Sequence, residues 1–406
     1  MTPPSDVSGD QADLPVVRLK PKADARAIRH GSPWVFSDEL VLDRRTRALA
    51  PGTIATLEGA DRVPIATVAV NPLSRIVARV LSRTPGRRID RAWFADRIRV
   101  AQDLRKTLYD KDFYRLVHAE GDRLPGVVID RFGDAAVVQP NAAWADRALD
   151  DLVAALVEVT GVSTVVKNGA GRARRLEGLP GVVEVLAGGV SGPVEVPMNG
   201  AIYLADLVGG QKTGLYFDQR DNHAFAAGLA RGGRVLDVFA HVGGFSLAAL
   251  AAGAASALAV DSSADALRLA EGGAAATGVA DRFETLRADA FEALEAMGAE
   301  GRRFDLVVCD PPAFAPARQA LDAGLRAYER VARLSARLVE PGGFLVLCSC
   351  SHAADLASFR QVSVRGIGRA GRRAQIIRTG FQAPDHPLHP RLAETGYLKA
   401  LTFRLV

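Results

Sequence analysis

Cysteine is scarce in this chain: three residues in 406, alongside three methionines and three tryptophans. Three thiols build no disulfide framework, and a reducing compartment, the cytoplasm, suits such usage. Their positions, 309, 348 and 350, lack the paired CxxC spacing of a zinc site, and the seven histidines are scattered, so no metal centre is expected. Long apolar runs are missing too. Gly or a charged residue breaks each Ala/Val/Leu stretch well before the ~18 residues that a membrane-spanning helix requires. The opening MTPPSDVSGDQADLP is acidic and carries Pro where a secretory signal has a basic and then an apolar segment, so no signal is expected.

What is present is a globular composition, 48% hydrophobic and 24% charged. A chain of this length forms two or three domains whose cores need no covalent staples. Charge is uneven. Residues 14–90 hold 14 Lys and Arg against seven Asp and Glu, a surplus that exceeds the +5 of the whole chain. A basic module beside a near-neutral remainder fits a polyanion partner; a solvated Arg-rich surface has the same composition.

Four regions follow from patterning. Residues 1–14 are polar, acidic and Pro-bearing, the signature of a disordered tail. Residues 15–88 contain short β-like runs (16–19, 35–36, 53–57, 65–70, 76–81) separated by Gly, Pro and Asn, which predict a small barrel. Residues 89–195 open with helical spacing (Phe94, Ile98, Ala101, Leu104, Leu108 on one face). Strands at 115–118, 126–130 and 135–139, a helix over 143–160 and a strand at 164–167 complete a small α+β domain. Residues 196–406 alternate strand and helix. Val/Leu-rich runs, each followed by a helix, predict an α/β fold with a parallel sheet covered on both faces. No internal repeat is present.

Chemistry concentrates at the ends of those last strands. Asp237-Val-Phe239-Ala-His241-Val-Gly243-Gly244 is a strand end, a Gly-bearing turn and a helix start, where backbone can approach a ligand. Asp261 ends the next strand, placed either to grip a ribose diol or, with Ser262 and Ser263, to cap a helix. Asp289 ends the third, reading an adenine amino group or again capping. The fourth ends Asp310-Pro311-Pro312-Ala-Phe314: two prolines stop the ladder and hold the acid at the sheet edge, with Phe314 ready to stack on a flat group. The fifth ends Ser349-Cys350-Ser351-His352. Cys350 lies past the strand, where a nearby helix start would lower its pKa and make it a nucleophile. Cys309 and Cys348 are expected to pack as small hydrophobes.

With those residues in view, the chain resembles the class I S-adenosylmethionine-dependent methyltransferases of large-subunit rRNA that make 5-methylcytosine (the RlmI family). The resemblance spans nearly the whole chain. It rests on Arg29-His-Gly-Ser-Pro-Trp34-Val-Phe36, Glu120-Gly-Asp122-Arg-Leu-Pro-Gly126, and Gly210-Gln-Lys212-Thr-Gly-Leu-Tyr-Phe217-Asp-Gln219-Arg220-Asp-Asn222. Gln382-Ala-Pro-Asp385-His386-Pro, Glu394-Thr-Gly-Tyr397-Leu-Lys399 and the intact Ser349-Cys350-Ser351 add to it. His241 and Val242 depart from the family, where Tyr and Thr are common.

The resemblance implies a Rossmann-like class I methyltransferase domain preceded by a PUA-like small β-barrel and a small α+β domain. It implies S-adenosylmethionine as cofactor, held by Asp237, Phe239, Gly243, Gly244, Asp261, Asp289 and Asp310, with Lys212, Gln219 and Arg220 closing over it. It implies ribosomal RNA of the large subunit as substrate, touched by Arg29, Trp34, Pro311, Pro312 and Phe314, and it allows a homodimer. Cys350 would add to cytosine C6 and Asp310 would bond the N3/N4 edge. An N-methyltransferase acting on guanine or adenine remains the enzymatic alternative, since Asp-Pro-Pro-Phe also suits an exocyclic amine. A non-catalytic RNA-binding protein with a cofactor fold is the alternative outside enzymes.

Overall fold

The computed structural model describes residues 14–210 and 214–406; the expected tail up to residue 13, and Lys212, lie outside the described residues. Two compact units divide the chain. One runs to Val190 and includes Asp385–Thr395; the other takes Ser191–Pro384 and Gly396–Val406.

In the first unit, Val16–Arg18, Thr53–Glu58, Pro64–Val70, Ile76–Ser82 and Trp34–Phe36 form one five-stranded sheet in that order. Its inward residues, among them Val17, Val35, Leu57, Val68 and Val77, make a separate core. A second sheet orders Val183–Ala187, Thr164–Asn168, Ala135–Pro140, Val127–Phe132 and Phe113–His118. Helices Arg91–Leu108 and Leu149–Thr160 pack on each other beside it. Two expectations need correction. Leu104 and Leu108 are exposed, and the buried stripe of the first helix is Trp93, Phe94, Ile98, Ala101, Gln102 and Arg105, because buried carboxylate and carbonyl partners draw Arg105 inward. The helix expected over 143–160 is two helices, broken at Ala148.

The second unit starts with a hairpin, Val194–Met198 and Ala201–Ala205, and then builds a seven-stranded sheet. Its strands are β1 (Arg234–Val238), β2 (Ser256–Asp261), β3 (Phe283–Arg287), β4 (Phe304–Cys309), β5 (Val339–Ser349), β6 (Ala374–Gly380) and β7 (Lys399–Leu405). They lie in the order β3-β2-β1-β4-β5-β7-β6. β1 to β5 are parallel, as their Val/Leu runs lead one to expect; β7 runs antiparallel between β5 and β6. Sequence patterning marks neither strand of this edge. β7 (Lys-Ala-Leu-Thr-Phe-Arg-Leu) interrupts its apolar residues with polar ones, and β6 is mostly exposed, so neither carries the continuous apolar run of a doubly covered strand. Helices α1 (Arg220–Leu229), α2 (Gly244–Ala251) and α3 (Ala264–Thr277) pack as one group, and α4 (Ala290–Ala299), α5 (Leu321–Ala336) and α6 (Leu356–Arg369) as another. Among the described residues no helix is long and apolar enough to cross a membrane.

Register fixes the site. Val238 pairs with Cys309, and Cys309 with Leu347, so β1, β4 and β5 end close to one line. In an open parallel sheet the crevice beyond those carboxyl ends is where ligands sit.

Candidate active site

The first βα loop is strained. Phe239, His241 and Gly243 all have positive φ, at 64°, 50° and 79°. Two of them are not glycine, a cost that persists only where the surroundings hold it. The loop is held from β2: Ala240 N–H donates to Val260 O at 3.0 Å, and His241 N–H to Asp261 Oδ2 at 2.9 Å. Gly244 is required sterically, since a Cβ there would meet the buried His223 ring at 2.7 Å. Tyr203 hydroxyl donates to Gly244 O at 3.0 Å and fixes the same turn. Burial lowers the His223 pKa to about 3, so its ring is neutral.

The acids fall into distinct environments. Asp237 is buried; its Oδ2 accepts from Ser246 N–H at 2.9 Å, and Oδ1 has no hydrogen-bond partner among the described residues. Burial raises its pKa to about 6. Asp261 is half-buried, and each oxygen accepts one backbone N–H, from His241 and from Ser263 at 2.8 Å. Ser263 caps α3, which is the capping reading of this strand end. Asp289 is exposed and caps α4 through Phe291 and Glu292 N–H.

Asp310 follows β4. Gln219 Nε2 donates to its Oδ2 at 2.9 Å, and Gln219 Oε1 accepts from Asn222 Nδ2 at 2.7 Å, so the amide is oriented from both ends. Arg220 is buried with its guanidinium 5.4 Å from the Phe217 ring centroid. Pro311 is buried and Pro312 exposed. Phe314 packs against Tyr328, Phe291 and Phe239, with centroids at 5.0, 6.1 and 6.3 Å, so much of its ring belongs to an aromatic cluster rather than to an open stacking face.

Cys350 sits just beyond β5 and is half-buried. Both neighbours are anchored. Ser349 Oγ donates to Tyr328 hydroxyl at 2.9 Å, and Tyr328 hydroxyl and Ser351 Oγ share a bond at 2.7 Å. Ser351 Oγ also accepts Ala315 N–H at 3.0 Å, which ties the cysteine loop to the Asp310–Phe314 loop. The expected helix start beside Cys350 is not there: α6 begins at Leu356 with Asp355 as its cap. Instead, Lys399, paired with Ser349 across β5 and β7, donates from Nζ to Ser351 O at 2.7 Å and Ala354 O at 2.8 Å. Cys309 lies in the apolar core as expected, and burial pushes its thiol pKa up. Cys348 is buried with its pKa raised for the same reason, but it also touches the Gln219 side chain and so borders the site.

Sequence reasoning assigned no role to Tyr216, Tyr328, Tyr397 or Lys399. Tyr216 is kept protonated first by burial and then by the charges of Asp218, Asp310, Cys350 and Asp261, which puts it amid the site acids; its ring lies 4.9 Å from His241. Tyr397 hydroxyl donates to Asp218 Oδ2 at 2.6 Å. The motifs around 214–222 and 394–399 were the available signal. In the first unit, Trp34 Nε1 donates to Glu120 Oε1 at 2.8 Å, and Arg29 is exposed at the end of a short helix. No group of three His, Cys, Asp or Glu able to hold a metal ion occurs among the described residues.

Comparison with known proteins agrees with this layout. The S-adenosylmethionine-dependent methyltransferase profile matches residues 172–404 and a PUA-like domain profile residues 17–83. The chain is 34% identical over 394 residues to the ribosomal RNA large subunit methyltransferase I of Shewanella denitrificans, covering 96% of this chain and 99% of that one. It is 36% identical over the same length to the protein of that name from Shewanella amazonensis. A solved structure assigned as a methyltransferase of this cofactor class from Streptococcus mutans superposes with a TM-score of 0.80 at 18% identity, over 96% of this chain and 100% of that one. Another, a methyltransferase by assignment and complexed with S-adenosylhomocysteine, gives 0.81 at 19% identity.

Proposed function

As the chain belongs to the ribosomal RNA large subunit methyltransferase I family of S-adenosylmethionine-dependent enzymes, we propose that it methylates C5 of a cytosine in large-subunit rRNA through a bond between Cys350 and C6. The chain's own residues fit the cofactor. A buried acid with an unpartnered oxygen, Asp237, and the half-buried Asp261 face a glycine turn at a helix N-terminus, an anionic edge suited to a cation with a ribose diol. When bound, S-adenosylmethionine supplies an electrophilic methyl group.

C5 of cytosine is too weak a nucleophile to accept that methyl unaided. Cys350 thiolate adds to C6; the C5–C6 π pair moves onto C5, and charge spreads towards N3. Asp310, steadied by Gln219, bonds the N3/N4 edge, accepting from the N4 amine and, from its proton-bearing oxygen, donating to N3 where that charge collects; the proton returns when the adduct breaks down. Once C5 carries the methyl group, its proton leaves to a base, the C5–C6 double bond re-forms and the C6–S bond breaks, returning the thiolate. The target base must leave any helical stack to reach this edge. Residues 15–88 are assigned to RNA binding, 196–406 to catalysis, and the work to the cytoplasm.

One observation carries this reading: Ser349 and Ser351 are pinned on a single buried hydroxyl, Ser351 is tied to the loop that follows Asp310, and the cysteine between them is only half-buried. Transfer to an exocyclic amine needs no thiol and gives that clamp no task. With 5-fluorocytidine in the substrate RNA, C5 carries fluorine in place of the proton that must depart, elimination is blocked, and wild-type protein should give a denaturation-resistant protein–RNA band. Cys350→Ala should give none, while Cys309→Ala and Cys348→Ala still should. Full methylation without an adduct in any form would point to N-methylation instead.

A further inference from the structure

Two motifs take no part in that chemistry: Glu120–Gly126 and the Asp385-His386-Pro387 segment. Both lie in the first unit, and together they form a docked turn. Arg105 is fully buried and grips Asp122 with two bonds of 2.6 and 2.8 Å, while its Nη2 also donates to Asp385 O at 2.6 Å. Asp385 Oδ2 accepts Arg115 N–H at 3.0 Å. Gly121 permits the approach, since a Cβ there would lie 2.2 Å from Pro387 O. Ala119 and Arg123, neither of them glycine, are forced to φ of 45° and 59°. Buried ion pairs contribute little net stability, yet they fix geometry. Such strain, held by such pairs, marks a surface whose shape matters.

That surface is one wall of a cleft of about 610 Å³, which also takes in His30–Pro33, Val80–Thr84 and Leu388–Arg391. Its volume falls within the ~300–1,000 Å³ of clefts that enclose a small ligand. Its charge is positive. Arg83 and Arg123 are exposed, and their side chains make no hydrogen bond or ion pair among the described residues. Among the described residues the Arg391 side chain bonds only through Nε, to His30 O at 3.0 Å. The cleft's one carboxylate, Glu120, is already bonded to Trp34 and Arg79. His389 Nδ1 accepts Arg391 N–H, so its proton sits on Nε2, and burial lowers its pKa towards the neutral form. Leu388, Pro390 and Pro125 supply apolar lining.

We propose that this cleft, composed of the small β domain, the Glu120 turn and the returning 388–391 segment, binds an unpaired stretch of RNA one or two nucleotides long. Arg83, Arg123 and Arg391 contact phosphates, and a splayed base lies against Leu388 and Pro390. The inference rests on the rRNA reading above. Separated cations around an apolar lining suit an unstacked strand, because a paired duplex hides its base faces.

Fluorescence anisotropy of the full chain with labelled oligouridylate, titrated across salt, tests this. In R83Q/R123Q/R391Q the slope of log affinity against log salt should fall by about 2, at roughly 0.7 per lost phosphate contact on a single strand. Affinity at physiological salt should drop at least about tenfold. R268Q/R302Q/R360Q, an equal loss of charge in the second unit, should stay near wild type, and S-adenosylhomocysteine binding should not move in either variant. Unchanged affinity and slope in the cleft variant overturn the proposal. So does an equal loss on a blunt RNA duplex, which removes the preference for unpaired strand. Polyglutamate binding lost in the cleft variant, with oligouridylate unaffected, would assign the cleft to an acidic protein and overturn it as well. Wild-type protein that binds no RNA would sink the rRNA reading itself, whereas a normal Cys350 adduct with an unaffected cleft variant would sink the cleft alone.

Discussion

Removing one oxygen atom tests how the proposed nucleophile, Cys350, is held. The Tyr328 ring packs between Phe314 and Phe359, at 5.0 and 5.1 Å, so Tyr328→Phe keeps the packing and deletes only the hydroxyl. Ser349 then loses its acceptor and Ser351 loses a partner; both serines are buried. Each keeps one contact, Ser349 Oγ with Ser351 N–H at 3.3 Å and Ser351 Oγ with Ala315 N–H at 3.0 Å. Two lost bonds at roughly 0.5–1.5 kcal/mol each make the expected destabilisation about 2 kcal/mol. For a unit spanning Ser191–Pro384 and Gly396–Val406, that lowers Tm by about 4–8 °C. The catalytic loss should be larger, because slack of about 1 Å at a reacting atom costs on the order of a hundredfold in rate. It should fall on kcat, with KM for RNA and S-adenosylhomocysteine affinity within about twofold of wild type. Calorimetric melting and single-turnover methylation of rRNA read the two effects. A Tyr328→Phe protein that melts and turns over like wild type would refute the claim that this hydroxyl positions Cys350.

Asp261→Ala removes the acceptor of the His241 and Ser263 amides together with the assigned ribose contact. Calorimetry should show S-adenosylhomocysteine binding weakened by at least about tenfold, as expected for loss of a charged hydrogen bond; undiminished affinity rules the ribose contact out. Two buried groups should shape the pH dependence in opposite senses. His223, with a pKa lowered to about 3, stabilises the fold above its unfolded value, and this is lost as pH falls. Asp237, raised to about 6, stabilises the fold at low pH, and this is lost as pH rises through 6. Between about pH 6 and 4 the two offset each other. Asp237→Asn leaves the histidine uncompensated, so its unfolding free energy should fall relative to wild type by on the order of 1 kcal/mol per pH unit on acidification over that range. Parallel urea-derived stability curves for the two proteins across that window would contradict the assignment.

The strand-end placement of the candidate residues was legible because chemistry and punctuation coincide in the chain. Two prolines after an apolar strand announce Asp310, and Ser-Cys-Ser after another announces Cys350; the parallel register then brings β4 and β5 side by side. Less legible was anything that depends on a distant partner. The buried stripe of Arg91–Leu108 includes Arg105 because of Asp122 and Asp385, the latter 280 positions away, and no local period encodes that. Tyr328 looks like one aromatic on an amphipathic helix until α5 sets its hydroxyl between Ser349 and Ser351. β6 and β7 escaped because their apolar residues are interrupted, and the rule that marks doubly covered strands does not mark them.

The absent helix start shows how a sound chemical requirement can be met by another part. A nucleophilic thiol needs positive potential nearby, and a helix N-terminus within a turn of Cys350 would have supplied it. α6 begins too far along, and its first amides are already capped by Asp355. Lys399 supplies the charge from the opposite direction. Its place opposite Ser349 on an antiparallel strand sends Nζ to the carbonyls of Ser351 and Ala354, and those two bonds hold the ammonium beside the cysteine loop. Burial pulls the Lys399 pKa down, while the nearby Cys350 and Asp355 push it up. β7 thus does more than close one side of β5: without the antiparallel strand that local patterning failed to mark, Cys350, the proposed nucleophile, would lack the cation set beside its loop.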